Sequence, residues 1–385
     1  MSLVSAEDCP MSQVSPRAHA GENKPAGPGV RLEFNGDNAF HRELRRRVEA
    51  FFKSNQRRQR DSVWMYLKTA AILAGFVGSY VLLVFYASTW WEGVLFGTLL
   101  GFTMAQIGFN IQHDAGHQAY SDKRWINNTM AMTLDVVGGS SYIWRWKHAV
   151  FHHTYVNVSG HDSDIDLGIL ARLAPAQKRR FMHRWQHYYA WVLYGITAMR
   201  WHFYGDFRDM IAGTIGERRF PRPRGWNLAG FVFGKLVFFT LAFGLPLAFH
   251  SIVVVALFYL LVAAVTGVLL ALVFQMAHVV EEAAFPSPDR ESGRVENAWA
   301  IHQLETTVDF ARGSRVLTSL IGGLNYQIEH HLFARICHVH YPAIAGIVED
   351  TCREYGVRYA SHTSFRTGIL SHYRWLRRMG VAAPA

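Results

Sequence analysis

The sequence predicts an all-α integral membrane protein, with four transmembrane helices in two hairpins and a helical cap on the cytosolic side that carries the clustered histidines. Three observations carry this. Half of the 385 residues are hydrophobic and 14% are aromatic, and the apolar residues are pooled into long runs, as in membrane proteins, where a soluble chain of this length would spread them over two or three domains. Arg and Lys flank those runs. The 20 histidines gather just beyond them.

The elements follow in order. Residues 1 to about 35 are rich in Pro, Gly, Ser and Ala without an apolar h-region, which predicts a disordered leader rather than a secretory signal. A basic amphipathic helix is expected from Phe40 to Arg60, lying on the membrane surface. Four runs reach the roughly 20 residues that cross a bilayer: about 69–88, 93–112, 227–249 and 251–277. The connection Thr89-Trp90-Trp91-Glu92 and the turn at His250 lack Lys and Arg, whereas the N-terminal flank and the stretch between the hairpins are basic. By the positive-inside rule both termini and the central segment are cytosolic. Residues 113–226 alternate aromatic, basic and His-rich segments (Trp144, Trp146, Trp185, Tyr188) with no clean spanning run, which suits interfacial helices. One membrane domain over residues 36–365 and a C-terminal tail at 366–385 complete the division.

The net charge of +10 suits anionic lipid, acidic proteins or nucleic acid equally until position is considered. Its placement beside the apolar runs selects the bilayer and argues against nucleic acid. Cys9, Cys337 and Cys352 show no paired spacing, so neither a disulfide framework nor a thiolate zinc site is indicated. The sequence contains no P-loop, Rossmann glycine pattern or internal repeat.

The histidines form three boxes. His113-Asp114-Ala115-Gly116-His117 follows the second run, and its i, i+4 spacing sets both imidazoles on one helix face. In His148-Ala149-Val150-Phe151-His152-His153, His148 and His152 stack, while His153 points about 100° away, an arrangement able to serve two ions. The same holds for His330 and His331 in Gln327-Ile328-Glu329-His330-His331, where Gln327 sits angularly between them and could orient a ligand or hold a water. His278 ends the fourth run. Runs two and four travel in the same direction, so His113 and His278 emerge on one face with the other boxes. Eight imidazoles are too many for one tetrahedral zinc and suit two octahedral irons with open positions. Asp114, Asp162, Asp164, Asp166, Glu281, Glu282 and Glu329 are the carboxylates near enough in sequence to accept a ligand's second N–H. His302 is a further candidate, as is His161, although surface or packing roles are favoured for both and for His338 and His340.

HDAGH, HAVFHH and NYQIEHHLF, with QMAHVVEEAAF between the last two, resemble the histidine boxes of the membrane fatty acid desaturases, and the Gln-initial third box resembles the front-end, linoleoyl-CoA-type branch. The match runs from about residue 40 to 365. The resemblance implies a four-helix stem under a cytosolic cap, a narrow acyl tunnel, and two irons held by His113, His117, His148, His152, His153, His278, His330 and His331. It leaves Gln327 in place of the His that opens the third box in stearoyl-type relatives. Many eukaryotic front-end relatives carry a fused haem domain with an HPGG motif, which this sequence lacks. Electrons are therefore expected from a separate ferredoxin-like or b-type cytochrome donor.

The reaction so implied is oxygen-dependent desaturation of a fatty acyl chain, presented as acyl-CoA, acyl carrier protein or acyl lipid. An unactivated methylene C–H yields to no side-chain acid, base or nucleophile, so the metal must supply the chemistry while the protein excludes water and fixes which carbons are presented. The rivals are hydroxylation or acetylene formation at the same centre, and a metal-dependent membrane hydrolase. A metal transporter should place ligands near mid-membrane rather than at helix ends.

Overall fold

The computed structural model describes residues 32–381 except 35, 37 and 290; nearly all of the expected leader lies outside them. Among the described residues four helices are long and apolar enough to cross a membrane: Val63–Tyr86, Trp90–Gly116, Trp226–Leu247 and Ile252–His278. Each overlaps one apolar run. The break before the second comes from the Thr89-Trp90-Trp91-Glu92 connection itself. Thr89 accepts from the Glu92 amide and Glu92 accepts from the Thr89 amide, 3.3 and 2.9 Å, a capping box that starts a new helix. Ser251 caps the fourth in a similar way, accepting from the Val254 amide.

Leu67, Val77, Leu95, Leu99, Phe233, Leu236, Ile252, Val253 and Leu257 project outward from these four helices. An exposed apolar surface of that extent is untenable in water and normal against lipid. The fourth helix packs on the second and on a long helix formed by residues 186–212. Gly267 permits the latter contact, because a Cβ there would lie 2.5 Å from the Tyr194 carbonyl oxygen; small residues allow such close approach in membrane bundles.

The amphipathic helix expected near the N-terminus exists as Ala39–Ser54, but its apolar stripe meets protein. Phe40, Leu44, Val48 and Phe52 are buried in one cluster with Ile344, Ala345, Val348 and Cys352 of the helix Tyr341–Glu354. Each such large side chain contributes about 1.5–3 kcal/mol when fully buried. Arg47 closes the contact by pairing with Glu354 at 2.5 Å and Glu43 at 2.7 Å. The helix Phe365–Gly380, all but its first residue in the stretch set apart as a tail, buries Trp375, Leu376 and Met379 against the 186–212 helix and the 165–174 segment.

Among the described residues three two-residue ladders complete the fold: Glu33–Phe34 with Arg294–Val295, Thr214–Ile215 with Arg218–Arg219, and Asp309–Phe310 with Ser361–His362. Local sequence does not announce pairs this short. The first and third are parallel and join segments distant in the chain.

Candidate metal centre

All three boxes sit on distorted or short helical segments. The second apolar helix widens to π-helix over Ile107–Gln112, immediately before His113, and Arg145–His152 is π-helical throughout. Such bulges recur at functional sites. The wider winding of the second box has a direct consequence. A regular α-helix would turn His153 well away from His148, yet the His148 ring lies 5.0 Å from both His152 and His153. The third box occupies the short helix Gln327–Leu332, brought against the second apolar helix by a turn through Gly322 and Gly323. Gly322 has φ +61°, and a Cβ there would lie 2.2 Å from the Phe109 carbonyl oxygen, so only glycine fits.

These elements bring all eight expected imidazoles into one continuous cluster. The facing atoms of His113, His117, His148 and His330 lie within 4.8 Å of one another, as do those of His152, His278 and His331, and those of His153, His330 and His331. The Nε2 atoms of His113 and His148 are 3.2 Å apart, and the His153 and His331 rings stack at 4.2 Å. None of the eight is more than 8% exposed.

The donor set fits divalent metal. Six of the eight, His117, His152, His153, His278, His330 and His331, have a buried Nε2 with no hydrogen-bond partner. Buried polar nitrogens are rarely left so. In four of these six the opposite ring nitrogen is engaged. His152 Nδ1 lies 3.0 Å from Asp162 Oδ2, His278 Nδ1 3.2 Å from the Thr306 carbonyl oxygen, His330 Nδ1 3.1 Å from the Tyr341 hydroxyl and His331 Nδ1 2.9 Å from Gln303 Oε1. A partner on Nδ1 directs the Nε2 lone pair toward the cluster, which is how metal-binding imidazoles are oriented. Burial, followed by mutual repulsion, holds His117, His153, His330 and His331 well below the usual imidazole range, and burial brings His148 down to about 4. Neutral imidazole is the ligating form. At His152 burial opposes charge too, but the Asp162 carboxylate outweighs it and raises the pKa.

Of the remaining candidates Asp164 stands against His148 and His152; those that follow lie elsewhere. Asp114 Oδ2 accepts from the backbone N–H and Nδ1 of His338, 3.1 and 2.9 Å, and that group is complete in itself, since Lys68 Nζ reaches His338 Nε2 at 3.3 Å. Glu329 pairs with the Tyr359 hydroxyl at 2.8 Å, which also reaches Asp309 at 2.6 Å. Gln327 is buried on the third-box helix. His302 is buried against Phe34, ring centroids 5.1 Å apart, and joins no histidine group. His161 packs on Tyr155. Asp162 was legible as a carboxylate close to the second box. Gln303, Tyr341 and Thr306 were not, for they stand far from their histidines in sequence.

Between the four apolar helices lies a cavity of about 360 Å³, walled mainly by apolar side chains such as Phe76, Leu100, Met104, Phe238, Phe258 and Val262. Met104 is nine residues before His113, so the cavity begins about 14 Å from the cluster along the second helix.

The chain matches the family model described as fatty acid desaturase over residues 88–363. It is 37% identical to the sn-1 linoleoyl-lipid 6-desaturase of Synechocystis sp. over 354 residues, covering 92% of this chain and 99% of that protein. Identity with the enzyme of the same name from Arthrospira platensis is 36% over 357 residues, 91% and 95% of the two chains. With the acyl-lipid (8-3)-desaturase of Physcomitrium patens it is 39% over 346 residues, 89% of this chain and 72% of that one. With its boxes assembled in one buried cluster and these relatives aligned along most of its length, the chain belongs to the fatty acid desaturase family.

Proposed function

We propose that this desaturase introduces a C=C bond near the carboxyl end of a fatty acyl chain carried on a membrane lipid, with dioxygen as co-substrate and two irons held by His113, His117, His148, His152, His153, His278, His330 and His331. The observation that carries the reading is the pairing of partnerless inward Nε2 atoms with engaged Nδ1 atoms. It fits a site built for more than one ion. A lipid-linked substrate is favoured by the names of the relatives. The bound irons would supply oxygen activation able to remove hydrogen from an unactivated methylene. The protein's own part is to hold the imidazoles in place, to keep water from the centre by burial, and to register the acyl chain. The apolar cavity between the helices is placed to receive the methyl end.

In this reading the four apolar helices form two hairpins, with both termini and the histidine cluster on the cytosolic side. The basic flanks support that orientation. Electrons come from a separate donor protein of ferredoxin or b-type cytochrome class.

The test is lipid analysis of a host that makes linoleate but no 6- or 5-desaturated acids. Expression of the wild type should yield a new front-end double bond on lipid-bound chains, whose position the analysis reads directly. His113→Ala, His152→Ala and His330→Ala should abolish it while the membrane-inserted protein persists. Full activity in any two of these variants, or a hydroxylated product alone, would overturn the proposal.

A further inference from the structure

The two histidine groups are not supported alike. Every Nδ1 in the group His152, His278 and His331 is engaged: by the Asp162 carboxylate, the Thr306 backbone carbonyl and the Gln303 side-chain amide. Two of those three partners come from one short helix, Trp299–Thr306. The same helix reaches the histidine between the groups, since the Trp299 indole N–H donates to the His153 carbonyl oxygen at 3.3 Å. Among the described residues none of its hydrogen bonds goes to His113, His117, His148 or His330; on that side the Tyr341 hydroxyl meets His330 Nδ1 and the Asp164 carboxylate meets His148. The helix Trp299–Thr306 is therefore a wall of one half of the centre.

From this asymmetry we infer that Gln303 is a positioning residue for the second metal ion alone, fixing His331 in the tautomer that binds it. The inference rests on the two-iron reading above. An amide oxygen can only accept, so at 2.9 Å it requires the proton on His331 Nδ1 and leaves the Nε2 lone pair facing His152 and His278. Gln303 is fully buried, so an apolar side chain of the same shape in its place leaves no room for a water. His331 would then keep no partner on Nδ1, and the tautomer carrying its proton on Nε2 would compete, with its lone pair turned from the ion. Thr306 acts through its backbone, which leaves Gln303 as the one side chain on this helix whose replacement isolates the effect. Loss of such an outer partner typically weakens metal binding by about 10–100-fold.

The experiment titrates purified protein in lipid nanodiscs with ferrous iron under anaerobic conditions, reading bound iron per chain and its spectroscopic signature rather than turnover. Gln303→Met keeps the shape and removes the acceptor; Gln303→Leu does so with a smaller side chain, should the first not fold. Gln303→Glu keeps an acceptor at the same reach. The expectation is that wild type and Gln303→Glu bind two irons, while the acceptor-free variant binds one with wild-type affinity and the other about 10–100-fold more weakly, with a mononuclear signature at limiting iron. Both irons held as in wild type, both weakened equally, or Gln303→Glu behaving like Gln303→Met would each overturn the assignment. A wild type that binds no iron would instead overturn the two-iron reading on which it rests.

Discussion

Lys235 lies within the third apolar helix, where an unpaired ammonium would be costly. The structure shows how it is held: Nζ lies 2.8 Å from Asp206 Oδ2 and 2.6 Å from the Gly138 carbonyl oxygen, and both charged side chains are buried, at 7% and 5% exposed. The pair ties the third helix to the helix at 186–212. Replacing Lys235 with Met removes one charge and leaves the Asp206 carboxylate desolvated and alone, for which the cost is about 3–5 kcal/mol. Replacing both partners, as in Lys235→Met with Asp206→Leu, removes the desolvated charge as well and should restore most of the stability, because a buried ion pair and an apolar pair of similar volume are often nearly equivalent. Unfolding in detergent, followed by the fraction of protein remaining monodisperse against temperature or denaturant, measures each variant. The difference between the double variant and the sum of the singles gives the coupling. A Lys235→Met protein as stable as wild type would refute the argument, as would a double variant no better than the worse single.

Three further outcomes follow from other parts of the molecule. Gly108 is not among the cavity-lining residues, and a Cβ there would meet Leu270 of the fourth helix at 3.2 Å; Gly108→Leu should thus destabilise by about 1–3 kcal/mol through overpacking and leave the double-bond position unchanged, whereas a shifted product would place the acyl chain beside Gly108. Burial opposes ionisation of Asp61, but hydrogen bonds from the Ser121 hydroxyl, the Asp122 amide and the Tyr66 hydroxyl outweigh it and bring its pKa to about 2. Because the folded pKa is depressed, its contribution is full above the ordinary aspartate range and is lost as pH falls toward 2, so Asp61→Asn should flatten the acid limb of the stability profile, and an unchanged limb would contradict this. Lys178, Arg179, Arg180 and Arg184 form an exposed basic surface; charge reversal at Arg179 and Arg180 should slow donor-dependent turnover in a salt-sensitive way if an acidic donor docks there, and unchanged turnover would leave the surface to anionic lipid alone.

Much of this architecture was legible from composition and spacing, and the reasons are physical. A bilayer demands about 20 apolar residues per crossing, so Val63–Tyr86 and its three counterparts announced themselves. Their ends were less clear, since the first helix begins at Val63 and takes in Lys68, a residue that an apolar window excludes. Seven of the clustered histidines were legible from i, i+4 and adjacent spacings that suit metal ligation, and His278 from its place at the end of the fourth apolar run. That His153 would come as near His148 as His152 does was not, because the reading assumed regular α-helix and the segment winds as π-helix. The amphipathic helix Ala39–Ser54 was recognised but assigned to the wrong neighbour: a stripe such as Phe40, Leu44, Val48 and Phe52 states that something apolar must cover it, not whether that is lipid or the helix Tyr341–Glu354. Gln303 and Tyr341 meet their histidines only through tertiary packing, and the charge pair Lys235–Asp206 joins two helices that no local pattern relates.

The most direct test of the account is metal analysis of the purified protein, prepared without chelators, combined with Mössbauer spectroscopy. Eight buried imidazoles in overlapping groups predict about two irons per chain in nitrogen-rich coordination with few carboxylates. A single tightly bound zinc, with no iron taken up on reconstitution, would contradict it and favour a hydrolytic centre.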